Sequence, residues 1–306
     1  MRIVLFIWIV FNAGLSLAQQ DALFSQYSYN QFVLNPAYAG SRNSFSGIVF
    51  HRSQWVGIKD APSVESFSLH SPINKTSLAY GINVSSERIG PSTNSAAALS
   101  LAYHIKFKNA RLSFALRGGV YHAIFDKNLL TFKETNDVFN VGGRESALIP
   151  NFDFGTYFYS KRFFIGGSIT HLTNEKLEFS GYPSANKLFI KPHIYLHSGY
   201  VFDLGQSLKL KPTFLLKLTE SSMPNVDVGF NFLFYEKFWL GASVRNTSSI
   251  NFLSEWNITD YFRIGYAYDY SINKLVEYTT GSHEVFIGFD FTISNKTKKM
   301  VSPRYL

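Results

Sequence analysis

From about residue 43 to residue 293 the chain repeats one pattern: apolar side chains at every second position for eight to twelve residues, then a break. Period two places successive side chains on opposite faces of extended backbone, so each run predicts a β-strand with one apolar face. In "SLAYGINV", Leu78, Tyr80, Ile82 and Val84 share a face, against Ser77, Ala79, Gly81 and Asn83. In "AALSLAYHIKF", Leu99, Leu101, Tyr103, Ile105 and Phe107 oppose Ser100, Ala102, His104 and Lys106. The run "SLKLKPTFLLKLT" sets Leu208, Leu210, Pro212, Phe214, Leu216 and Leu218 against Lys209, Lys211, Thr213 and Lys217. About fourteen such runs occur, centred near residues 48, 67, 81, 101, 117, 155, 168, 195, 213, 230, 241, 252, 266 and 288.

A soluble β-sandwich alternates too, but its outer faces are richly charged. Here the polar face is built of Gly, Ala, Ser and Thr with scattered charges, and aromatic residues reach 17% against 16% charged. Something must cover 30 Phe and 18 Tyr. An apolar exterior in lipid around a small, polar lumen meets that need, and strands of about nine to eleven residues span a bilayer at a tilt. The connections agree. Those at 71–75, 108–110, 160–162, 203–206, 236–237 and 257–260 are tight, while those at 125–149, 174–187 and 271–283 are long. The alternation predicts an all-β, transmembrane, antiparallel outer-membrane β-barrel of about 14 strands, with short periplasmic turns, longer outside loops and both termini periplasmic. Two outside connections, near 219–225 and 246–249, are also short. They predict a low rim there, as a docking notch or as two ordinary hairpins.

Residues 1–18 carry Arg2, the apolar run "IVLFIWIVF" and a terminal "SLA" before Gln19, the pattern of a cleaved secretory signal peptide. No later stretch is long and apolar enough for a transmembrane helix. Residues 19–42 are then expected as an N-terminal segment, 43–293 as the barrel, and 294–306 as a basic periplasmic tail. The absence of cysteine excludes disulfides, thiolate metal sites, a cysteine nucleophile and a lipidated N-terminus. Without Arg2 the chain holds 28 Lys and Arg against 21 Asp and Glu, a net charge of +7. An exported chain has little access to nucleic acid, so the excess points to anionic cell-surface partners.

No catalytic, cofactor or metal site is predicted. His193 and His197 share a strand face but stand roughly 13 Å apart, too far to chelate one ion. Ser100 and His104 are separated by the same spacing. The inward lysines Lys209, Lys211 and Lys217, with Arg117, Arg245 and Arg263, read either as an attractor for an anion or acidic polypeptide, or as charge balance for Asp227, Asp269, Glu284 and Asp290. The tail "NKTKKMVSPRYL", with four basic residues and no acidic one, suits an acidic periplasmic partner or cell-wall polymer.

The stretch "QDALFSQYSYNQFVLNPAYAGS", followed by "HRSQWVGIKDAPSVESFSLHSPI" and later by "FRIGYAYDYSINKL", "GSHEVFIGFDF" and "SPRYL", resembles the PorP/SprF family of type IX secretion outer-membrane proteins. The family usually ends in Phe, where this chain has Leu306. The resemblance implies a non-enzymatic barrel of the type IX export apparatus. It would bind the C-terminal domain of a secreted adhesin and support its export or surface anchoring, in gliding or adhesion. Other type IX components and a periplasmic lipoprotein or peptidoglycan-binding partner are implied as well. The motif positions carried over are Asn35, Pro36, Ala37, Tyr38, Ala39 and Gly40, then Gln54, Trp55 and Gly57. A passive porin or small-solute transporter is the alternative that architecture alone suggests. The stretch 26–41 lacks alternation and carries rings and amides that a linker would waste, so it is expected to fold back into or under the lumen, with "NP" breaking a helical turn and Gly40 admitting the chain to the first strand.

Overall fold

The computed structural model describes residues 24–131, 142–177, 188–220, 222–246 and 248–292; the expected signal peptide, 1–18, and the expected basic tail, 294–306, lie outside the described residues. Fourteen antiparallel strands close into one barrel. They are β1 Ser44–Ser53, β2 Ser63–Pro72, β3 Leu78–Ile89, β4 Ser92–Lys106, β5 Ala110–Asp126, β6 Arg144–Ser160 and β7 Phe163–Thr170. There follow β8 His193–Tyr200, β9 Leu208–Thr219, β10 Asn225–Phe234, β11 Phe238–Arg245, β12 Ser249–Asn257, β13 Phe262–Ser271 and β14 Ser282–Thr292. Each strand pairs with its sequence neighbours, and β1 pairs with β14 along its whole length to seal the ring.

The β8–β9 ladder shows how one residue edits a sheet. It runs from His193↔Thr219 to Gly199↔Thr213, stops, and resumes in the same register at Phe202↔Leu210. Pro212 stands in the gap; it has no N–H to contribute, and the Val201 N–H turns instead to the Arg162 carbonyl at 2.7 Å.

Alternation sorts the side chains as the period demands. Leu99, Leu116 and Ile287 are 65%, 65% and 59% exposed, an exterior that only lipid can cover. Exposed rings collect at the short-turn end, among them Tyr103, Phe107, Phe202, Trp256 and Tyr261, as in the interfacial girdle of an outer-membrane barrel. No helix among the described residues is long and apolar enough to cross a membrane.

One expected loop is shorter than its sequence suggests, with strand at both of its ends. β5 and β6 each run 17 residues, so the connection placed at 125–149 shrinks to 127–143. Its flanks are hard to read because they rise past the lipid: outward residues change from Leu116 and Phe152 to His122, Ser146 and Arg144, and the apolar half of the alternation thins, as it does on β3 and β4 at Ser86, Arg88, Thr93 and Ser95. The strands β3 to β6 thus form a tall wall of 12 to 17 residues, whereas β7, β8 and β11 have 8 each.

The lumen is filled by the chain's own N-terminal segment. Short helical turns at Ser25–Ser28, Gln31–Leu34 and Pro36–Tyr38 fold it compactly, and nearly every residue from Ser25 to Arg42 is buried. Read backwards from β1, the segment starts at the short-turn end, where Arg42 pairs with Asp290 at 2.8 Å. It crosses the middle beside Arg117 and ends at the long-loop end, where Ser25 meets Asp269 and Glu284.

Candidate functional site

The site begins with space. Inward positions on β3 to β7 are small, including Ala79, Gly81, Ala102, Ala115, Gly155 and Gly166. A Cβ on Gly155 would run into Asn35 Oδ1, one on Gly166 into His197 and Asn35, and one on Gly81 into the Phe32 ring. The small polar face is therefore a mould for "FVLNPAY".

Asn35 sits in that mould fully buried. Its Oδ1 accepts from the Ala37 N–H at 2.9 Å, capping the turn that Pro36 opens. Its Nδ2 donates to the Thr156 carbonyl at 2.9 Å and lies 3.2 Å from His197 Nε2. Tyr38 packs edge-on against His70 and Tyr157, with ring centroids 5.4 Å from each. Gly40 adopts φ +70°, a region open to glycine, and a Cβ there would strike Ala79. Its N–H donates to His70 Nδ1 at 3.3 Å.

The other half of the lumen is charged. Arg52 pairs with Asp269 at 2.8 Å and with Glu284, and Arg245 pairs with Asp227 at 3.2 Å. Arg263 pairs with Glu255 at 3.0 Å and Asp290 at 3.4 Å, and Arg117 with Asp153 at 3.5 Å. Several of these cations also cap the carbonyls of the segment. Arg117 donates to Phe32 O and Val33 O, Lys211 to Ser28 O, Arg263 to Tyr29 O and Arg245 to Phe24 O. Carboxylates serve its donors: Glu284 accepts from the Ser25 and Gln26 N–H groups, and Asp269 from the Ser25 hydroxyl. A segment without a sheet partner has its backbone satisfied by side chains of the wall.

The electrostatics follow. Burial, helped by Asp227 for Tyr27 and by Glu255 for Tyr29, pushes both phenols well above their ordinary range, so both remain neutral donors. Burial works against the Arg42 guanidinium, but Asp290 and Tyr38 outweigh it and raise its pKa.

The candidate residues do not form one cluster. Asn35, Pro36, Tyr38, Gly40, Lys211, Lys217, Arg245 and Arg263 lie in the lumen. Lys209 sits at the short-turn rim, 3.0 Å from Asp203 and 3.9 Å from Glu236. Gln54 and Trp55 lie at the opposite end, in the β1–β2 loop. There the Trp55 N–H donates to Ser282 Oγ at 3.1 Å, and Gln54 Oε1 accepts from Arg52 at 3.5 Å. Lys211 is not open to a soluble anion: it is 2% exposed, with Nζ 4.5 Å from the Trp239 ring centre. Ser100 accepts from Arg117 at 3.2 Å, while His104 faces the Ala39 carbonyl at 2.9 Å, so neither is arranged for the other. Among the described residues no His, Cys, Asp and Glu cluster could hold a metal ion.

A family model for the type IX secretion system membrane protein PorP/SprF matches residues 16–289. The chain belongs to this family. No curated protein matches it. Among solved structures, this PorP/SprF protein is similar to a Pseudomonas aeruginosa FadL homologue, with 10% identity and a TM-score of 0.50, covering 91% of this chain and 96% of that one. It is also similar to the CymD monoaromatic hydrocarbon channel, with 9% identity and a TM-score of 0.51, covering 94% and 96%. At such identity the likeness extends to the fold, that of an outer-membrane barrel. Four charged residues of the PorP/SprF lumen escaped the sequence analysis: Arg42, Arg52, Asp153 and Glu255. Arg52 gave no usable signal: it shares parity with Ile48 and Phe50, apolar residues that the alternation would turn to the lipid, yet both are 4% exposed and face inward.

Proposed function

We propose that this PorP/SprF barrel is a non-enzymatic docking member of the type IX secretion apparatus. It receives the C-terminal domain of a secreted adhesin at the outer membrane and supports the adhesin's export or its anchoring at the surface. Its termini lie in the periplasm, where other type IX components and a lipoprotein or peptidoglycan-binding protein meet the basic tail. The observation that carries this reading is the lumen itself. Residues 25–42 occupy it, and Arg117, Lys211, Arg245 and Arg263 are engaged with the segment's own carbonyls. A lumen so filled is unsuited to solute flux, which leaves the rims and outer surface for partners.

Two measurements test it together. Deleting the gene should lower one or more surface adhesins by roughly tenfold or more, with recovery on re-expression of the full chain, and the purified barrel should show no steady conductance in planar bilayers. Unchanged adhesin display together with a steady open current would return the protein to the porin class.

A further inference from the structure

The tall wall has an edge. β6 pairs with β5 along its full length, from Asp126↔Arg144 to Ala110↔Ser160. With β7 it pairs only from Phe154↔Ile169 to Tyr159↔Phe164. One more bond, from the Leu172 N–H to the Phe152 carbonyl at 2.9 Å, ends the contact. Backbone groups alternate in direction along a strand, so the residues in phase with Phe152 point the same way: Arg144, Ser146, Leu148 and the carbonyl of Pro150. Among the described residues none of these has a backbone partner. Pro150 itself marks the edge, because its missing N–H falls on the unpaired side, the placement that a strand tolerates.

This edge stands clear of the lipid. Leu148 is level with His122, which pairs on its other side with Ser95, in the polar zone of the outer face. Yet Leu148 is 67% exposed. On the inner face the neighbouring Ile149 and Ala147 pack against the cluster of Ala123, Leu177 and Ile190. Among the described residues the edge therefore offers a ladder of unpaired donors and acceptors about 23 Å long, with the exposed Leu148 on one face and an apolar cluster on the other. An extended strand takes up such a set: main-chain bonds supply affinity and alternate side chains supply selectivity.

We infer that the free edge of β6, residues 144–150, is a strand-addition site for an extended segment of the exported partner. The added strand continues the column that β7 leaves at Thr170, antiparallel to β6. It places one apolar side chain on Leu148 and turns alternate residues toward Ile149. This inference rests on the docking role proposed above and says where on the barrel that role is exercised.

The test uses the full chain in its own cells. A photo-crosslinking amino acid at Ser146, and at lipid-facing Leu101 as control, should give an adduct at 146 alone, with the adhesin whose surface level falls when the gene is deleted. Leu148→Pro removes an edge N–H and leaves the β5–β6 bonds untouched. It should lower adduct yield roughly tenfold or more while the barrel keeps its heat-modifiable mobility. Leu148→Thr, which keeps the N–H, should retain the adduct and separates a ladder defect from a folding defect. The inference is overturned by an adduct confined to the chain itself, which would mean that its own loop covers the edge. It is overturned equally by no adduct at 146 while deletion still removes the adhesin, an outcome that leaves the docking role standing.

Discussion

Asn35 does three jobs with one side chain, capping the Pro36–Tyr38 turn, tying the segment to β6 and facing His197. Asn35→Ala leaves a buried N–H and a buried imidazole without that partner, and should cost about 1–3 kcal/mol. Gly155→Ala tests the mould from the other side, because its Cβ competes with Asn35 Oδ1 for the same space; the cost is on the order of 1–3 kcal/mol. Both should appear as a lower temperature for loss of the heat-modifiable folded form. Arg117→Met should be worse, roughly 3–5 kcal/mol by the same assay, since it strands the buried Asp153 and uncaps two carbonyls. At this scale the sequence was partly legible. "NPAYAG" announces a cap, a turn and a left-handed glycine from local chemistry alone. That Lys211, Arg245 and Arg263 would bind the chain's own carbonyls was hidden, because those partners lie 183 to 234 residues away and only closure of the barrel brings them together.

The strands were the most legible elements, since lipid outside and a polar interior impose strict alternation, and all fourteen expected centres fall within strands. Strand length was legible only while that contrast lasted. In β5 and β6 it fades above the membrane, and "RESALI" reads as loop though it is sheet. The N-terminal segment makes the sharpest prediction at this level. Deleting residues 24–40 removes the carbonyls that four cations cap, and opens the lumen from Gly81 across to Asp227. The truncated barrel should insert with a steady conductance absent from the full chain and should unfold at lower temperature. Single-channel recording beside a melting curve checks both, and a silent, equally stable truncated barrel would show that the segment does not close the pore.

For the molecule as a whole the asymmetry of the wall is the main surprise, and periodicity gave no warning of it beyond the short connections near 219–225 and 246–249. A barrel with one side 17 residues tall and another of 8 presents a half-screen at the long-loop end, so a partner would approach from the low side. Lengthening the low rim should therefore hinder docking without altering the barrel. Grafting a flexible 15-residue insert between β11 and β12 is expected to leave folding intact and to reduce surface adhesin, measured by whole-cell immunolabelling. The bonds from Ser25 and Gln26 to Glu284 have a further consequence, for assembly. They join residues 259 and 258 positions apart, one end upstream of every strand and the other on the strand that seals the ring. The strand that seals the ring against β1 is thus also one that holds the segment, so the closure of the barrel wall and the hold on its filling share one strand.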